Sequence, residues 1–286
     1  MRLALALVAS LVGSTALAQD VPTVSNEPGV QGLPDEASFD VLGIKLGMTA
    51  EEAQASTKKE LRPVQKRIFL SDPKTGGEFQ LEYDGALESV SPPLIGNQRF
   101  TAGQDEVTVE MGTAAVGNRV VSIRRFLSPP EDQPISMEAF RGLLRDKYGE
   151  PSGVNARGDS LAWIYGKDGK VTVPFWSDEI DYQGLMSAAE AGAKPGDELT
   201  PPPCTLSFRS GVSDGLNPYE YQPERELRDP DCVAGLLVKL QGGNTLQNAT
   251  ILMVDGQRRI QNAEGLDQAV EAALSGGGSP KNAPEL

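Results

Sequence analysis

The chain has 286 residues, with 26 Lys plus Arg against 40 Asp plus Glu and a formal net charge of −14. So acidic a balance argues against general binding to nucleic acid or to an anionic membrane surface, both of which need clustered positive charge. There is no histidine, which removes Ser-His-Asp and Cys-His mechanisms, imidazole bases and His-ligated metals together. No cofactor and no metal centre is expected. The length suffices for one large domain or two small ones with a real core.

Residues 1–18 read as a secretory leader. Arg2 supplies the positive end, residues 3–12 are apolar, and Ala16-Leu17-Ala18 offers small residues at the cleavage positions. Cleavage is expected after Ala18, before Gln19, delivering the chain to a periplasm or to the exterior. The apolar run is too short to span a bilayer, and no later run is long enough, so no integral membrane segment is expected after processing. An oxidising compartment favours joining Cys204 to Cys232, the only two cysteines. Chain entropy assigns such a bridge roughly 3–4 kcal/mol. The spacing is far from the C-x-x-C of redox-active dithiols.

In chain order, residues 19–38 are rich in Pro, Gly and acid and read as a flexible lead-in. An extended run at 39–46 precedes a helix from Ala50 to about Lys59. Thr49 and Glu52 are spaced as a capping box, with Met48 and Ala53 placed as a hydrophobic staple. Strands are expected at 64–70, 79–83 and 99–101. A hairpin follows, with Val107, Val109 and Met111 on one arm, a turn at Gly117-Asn118, and Val121, Ile123 and, at its end, Arg125 on the other. Its alternation predicts a half-buried antiparallel sheet.

A second helix has Ser136 as cap and an apolar stripe of Met137, Phe140, Leu143, Leu144 and Tyr148. Gly149 suits the left-handed position after it, and Pro151 stops it. Alternating strands follow at Leu161, Trp163 and Tyr165 and at Val171, Val173 and Phe175. Residues 188–203 read as a surface excursion. Further strands are expected at 204–208, 232–240 and 251–254. A last helix, capped by Asn262, carries Leu266, Ala269, Val270, Ala273 and Leu274. Residues 275–286 form a frayed tail.

The fold class that results is α+β, with antiparallel sheet and about three helices packed on one face. The elements divide into units at 39–129 and 130–274, arranged as two similar helix-then-strands units or as one sheet covered on one side.

The run Leu42-Gly43-Ile44-Lys45-Leu46-Gly47-Met48-Thr49, followed by an acidic helix start, resembles the opening of small bacterial envelope domains. These are the small outer-membrane-assembly lipoproteins and the β-lactamase-inhibitor-like domains. Tyr148-Gly149-Glu150-Pro151 is similar to the Gly-x-Pro helix ending of the same families. The resemblance implies a helix on an antiparallel sheet and a role in protein–protein contact. It brings no catalytic residue, and the lipid-bearing cysteine of the lipoproteins has no counterpart here.

Several strings imitate active sites. Gly211-Val212-Ser213-Asp214-Gly215 matches a nucleophile elbow but lacks a following helix start and any histidine to activate the serine. Ser56-Thr57-Lys58-Lys59 and Lys74-Thr75-Gly76 match penicillin-recognition motifs, yet the first closes a helix amid charges instead of opening a buried one. Arg157-Gly158-Asp159 reads as a turn. Asn248-Ala249-Thr250 is a sequon with meaning only in a eukaryotic secretory pathway.

Two features point to contact. Tyr219 and Tyr221 lie beside Pro218 and Pro223 in the segment between the cysteines, which makes a pre-organised surface for a partner. Lys58, Lys59, Arg62, Lys66 and Arg67 form a local basic run that an acidic partner could meet. The leading expectation is an exported, non-enzymatic interaction protein of a bacterial envelope, its partner a protein or another envelope component. The alternative is a secreted hydrolase acting on a polysaccharide with paired carboxylates, drawn from residues such as Glu110, Asp178, Glu179 and Asp181.

Overall fold

The structure is a computed structural model and describes residues 39–71, 78–90, 102–155, 157–172, 204 and 231–275. The strands expected at 99–101 and 204–208, the excursion at 188–203 and the leader, lead-in and tail lie outside the described residues, apart from Cys204 and Ser275.

Strands β1 (Asp40–Val41) and β2 (Ile44–Lys45) form a small hairpin. Its two-residue turn, Leu42-Gly43, has positive φ at both positions (57° and 86°), as twist-matched hairpin turns require. Helix α1 (Ala50–Ser56) follows with the capping box in place: Glu52 N–H donates to Thr49 Oγ1 at 3.2 Å, and Thr49 N–H to Glu52 Oε2 at 2.8 Å. The helix ends three residues short of the expected Lys59. Ser56 Oγ donates back to the Ala53 carbonyl at 2.9 Å and Thr57 is extended, so side-chain competition for backbone groups stops it.

Strands β3 (Leu61–Ser71), β4 (Glu78–Ser89), β5 (Asp105–Met111) and β6 (Val120–Leu127) come next. Helix α2 (Met137–Tyr148) precedes β7 (Gly153–Val154), β8 (Ser160–Gly166) and β9 (Gly169–Lys170). Strands β10 (Cys232–Gly242) and β11 (Leu246–Asp255) lead into helix α3 (Gly256–Ser275). Apart from the β1–β2 hairpin, these strands make one antiparallel sheet in the order β3-β4-β5-β6-β11-β10-β8-β7, with β9 on β8. Strand β6 of the 39–129 range pairs with β11 of the 130–274 range, so strands of both ranges belong to one sheet. The fold is therefore α+β with a large antiparallel sheet, as its alternating strands and amphipathic helices imply.

The main core lies on one face. It joins Val107, Val109, Ile123, Leu161, Trp163, Leu236, Val238, Ile251 and Met253 of the sheet to Ala53 of α1 and Met137, Phe140, Leu144 and Tyr148 of α2. Leu143 was expected in this stripe but is 56% exposed. At 100° per residue it sits about 120° round the helix from Met137, off the face that Leu144 and Tyr148 share. Gly149 does take a positive φ (74°), but with ψ of −169° it extends the chain and does not form a left-handed turn.

The half-buried alternation holds for β5, whereas β8, β10 and β11 are buried on both faces. Ala162, Ile164, Leu237, Leu252 and Val254 point away from the main core and gather around Cys204 and Cys232 in a second cluster. The hairpin loop is longer than a tight turn. Thr113 caps a short 3-10 turn at Ala114–Val116 before Gly117 and Asn118 reverse the chain with positive φ.

The last helix starts at Gly256, not after Asn262. Asp255 Oδ1 accepts the Arg258 N–H at 2.9 Å, which is the N-cap position. Asn262 lies within the helix, where its Oδ1 accepts from both the N–H and the Oγ1 of Thr113 at 2.7 Å each.

Candidate functional site

Cys204 and Cys232 are joined by a disulfide, with Cα atoms 4.7 Å apart and no exposed surface on either residue. Cys232 opens β10, a strand held on both sides by β8 and β11. The bridge thereby joins Cys204 to the first residue of β10. Tyr219 and Tyr221, the residues expected to meet a partner, belong to that segment and lie outside the described residues.

The end of the sheet beside the bridge is a polar cluster. Gly256 rests directly on Cys232, and Gln257 Nε2 donates to the Cys232 carbonyl at 2.7 Å. Asp255 Oδ2 and Arg258 Nη1 are 2.6 Å apart and both buried. Burial pushes the Asp255 carboxyl up to about 6, against the lowering pull of Arg258 and the backbone donors. The Arg258 guanidinium occupies the space a Cβ at Gly47 would fill, and Gly47 has φ of 78°. Only glycine serves there, both for conformation and for room. Arg259 Nη2 stands 3.8 Å from Glu110 Oε2, which also accepts from Ser122 Oγ at 2.7 Å.

These contacts decide what several expected sites can do. Glu110 is committed to Ser122 and Arg259. Asp178, Glu179 and Asp181 lie outside the described residues, as do the 211–215 and 74–76 motifs. Ser56 bonds its own helix, while Lys59 Nζ is held by the Asp105 carbonyl at 2.6 Å and by its carboxylate at 3.0 Å, so no Ser-Lys couple forms. Arg125 also grips Asp105, at 2.8 and 3.2 Å. Burial alone would raise the Asp105 carboxyl, but the bonds and charges of Arg125 and Lys59 outweigh it and hold it below its usual range. The basic run is thus partly neutralised: Arg62 also meets Glu60 at 3.3 Å.

Arg157 and Asp159 pair with each other at 3.2 Å across a turn in which Asn155 Oδ1 accepts two backbone N–H groups. The tripeptide is the connection between β7 and β8. Asn248 sits within β11, buried and donating to Gln241 Oε1 at 3.0 Å, a setting unlike a glycosylated loop.

Sequence reading missed the Asp255–Arg258 pair. An acid closing the apolar 251–254 run and followed by Gly-Gln-Arg-Arg is a cap signal, which the cleaner stripe beyond Asn262 outweighed. It also missed Asp40, whose carboxylate meets Lys147 Nζ at 2.8 Å and whose carbonyl accepts from Tyr148 Oη at 2.8 Å, tying β1 to α2. Burial first, and then the charge of Asp40, push the Tyr148 hydroxyl above its ordinary range.

Among the described residues no helix is long and apolar enough to cross a membrane, and no group of three Cys, Asp or Glu is placed to hold a metal ion. Comparison with protein-family models, with curated proteins and with solved structures found no match.

Proposed function

We propose that the chain is an exported, non-enzymatic interaction protein of a bacterial envelope, and that the segment between Cys204 and Cys232 contacts its partner through Tyr219 and Tyr221. The observation that carries this reading is the buried bridge, which pins both ends of that segment to the sheet. A pinned loop loses less entropy on binding than a free one, and tyrosines give large contact area with few torsions. The disulfide also suits an oxidising compartment. The leader at 1–18, with cleavage after Ala18, and the resemblance of the 42–49 run to small envelope domains point the same way. The chemical class of partner is a protein or another envelope component.

Crosslinking in intact envelopes, followed by mass spectrometry, tests the reading. It expects one recurrent partner and a mature N-terminus at Gln19. Replacing Tyr219 and Tyr221 with Ala should weaken that complex at least tenfold while leaving the unfolding transition in place. Unchanged affinity would remove the loop from the contact, and a retained leader would remove export.

A further inference from the structure

We propose that the first turn of α3 seals the Cys204–Cys232 bridge, so that a dithiol reductant reaches the bond only after this turn lifts from the sheet. The inference concerns access to the bond and stands whether or not the enclosed segment binds a partner.

The seal is a close fit of backbone on sulfur. A Cβ at Gly256 would lie 2.5 Å from the Cys232 carbonyl oxygen, 2.5 Å from its Sγ and 2.8 Å from its Cβ. Any side chain there would force the helix away from the bridge. Gln257 adds a hydrogen bond to the same carbonyl at 2.7 Å. The turn is then locked from its far side: Asp255 caps it and pairs with Arg258, whose guanidinium lies against Gly47. Gly47 is itself tied into the sheet by its N–H to the Val120 carbonyl at 2.8 Å. Ala162, Ile164, Leu237, Leu252 and Val254 share the apolar cluster that holds the two cysteines.

Thiol–disulfide exchange needs a thiolate to attack one bridge sulfur while the other leaves. With dithiothreitol, attack on one cysteine gives a mixed disulfide and frees the other as a thiol. The reagent's second thiol then closes on the first, releasing the remaining cysteine. Two electrons pass to the bridge, and the reagent ends as a cyclic disulfide. Neither cysteine offers exposed surface for the first step, and on Cys232 the backbone of Gly256 lies where an attacking thiolate would have to approach.

The test measures reduction of the folded, oxidised, full-length protein by dithiothreitol, quenched with iodoacetamide and read by mass. Wild type is compared with Gln257→Ala and Gly256→Ala, and also with wild type in enough urea to match each variant's global stability. The expected result is wild-type reduction at least 100-fold slower than that of oxidised glutathione. Gln257→Ala should be reduced roughly tenfold faster than stability-matched wild type, the equivalent of one hydrogen bond. Should Gly256→Ala fail to fold, Gln257→Ala carries the comparison alone. Wild-type reduction as fast as that of oxidised glutathione overturns the seal. So do equal rates at matched stability, since the bond would then open only through global unfolding.

Discussion

Asp255 and Arg258 face each other across 2.6 Å where β11 becomes α3, and neither side chain is more than 2% exposed. A buried pair of this kind adds little over a neutral substitute, but removing one member strands the other. Arg258→Met should therefore destabilise the fold by about 3–5 kcal/mol. Combining it with Asp255→Asn should recover much of that loss, because no buried charge then remains. Urea unfolding of the two single variants and the double variant measures both effects. Additive losses would show that the residues do not act as a pair.

Much of the fold was legible because its local chemistry agrees with its tertiary use. The Thr49–Glu52 box, the Ser136 cap and the Val107-Val109-Met111 alternation each appear where their spacing predicts. The misplaced start of the last helix has a different cause from the early end of α1: a long-range partner overrode a local pattern. Asn262 looks like a cap but is bound to Thr113, and Asp255 takes the cap because it ends a buried strand. The candidate site divides in the same way. The cysteine pairing followed from there being only two cysteines and from the compartment expected of the leader. The stacking of Gly256 on Cys232 and of Arg258 on Gly47 depends on which strands are neighbours, and spacing along the chain does not encode that.

Asp255 and Asp105 should bend stability in opposite directions with pH. Asp255 is raised to about 6 in the folded state from its ordinary value of 3.8, so the folded chain binds its proton more readily than the unfolded chain. Its contribution is fullest below about pH 4 and is lost as pH rises through about 6. Asp105 is lowered, so its contribution is present above its unfolded value and is lost as pH falls below it. Wild type should gain stability relative to Asp255→Asn as pH drops from 8 to 5. It should lose stability relative to Asp105→Asn on going from pH 5 to 3. Urea titrations at each pH read both trends, and a flat difference for either variant would refute the corresponding shift.

Gly47 and Arg258 should be coupled. Alanine at Gly47 meets two penalties: a φ of 78°, costing about 1–2 kcal/mol, and collision with the guanidinium. In an Arg258→Met background the flexible thioether can give way, so only the backbone cost should remain. A double-mutant cycle should return an interaction of at least about 1 kcal/mol. No coupling would mean that the collision relaxes without cost.

Tyr148 tests the link between the N-terminal hairpin and α2. Its hydroxyl donates to the Asp40 carbonyl at 2.8 Å in a buried setting. The ring itself packs at 5.6 Å from that of Trp163. Tyr148→Phe keeps the ring packing and deletes only the donor, which should cost about 1–2 kcal/mol, since a buried carbonyl loses its partner. The loss should be local. Hydrogen exchange of the 39–45 amides should accelerate by more free energy than the global transition loses, because β1 and β2 are held to α2 through this bond and the Lys147–Asp40 pair. Strand β11 amides, which rest on the sheet ladder, should change only as far as global stability does. Acceleration spread evenly over both regions would show that the hairpin opens only with the whole sheet.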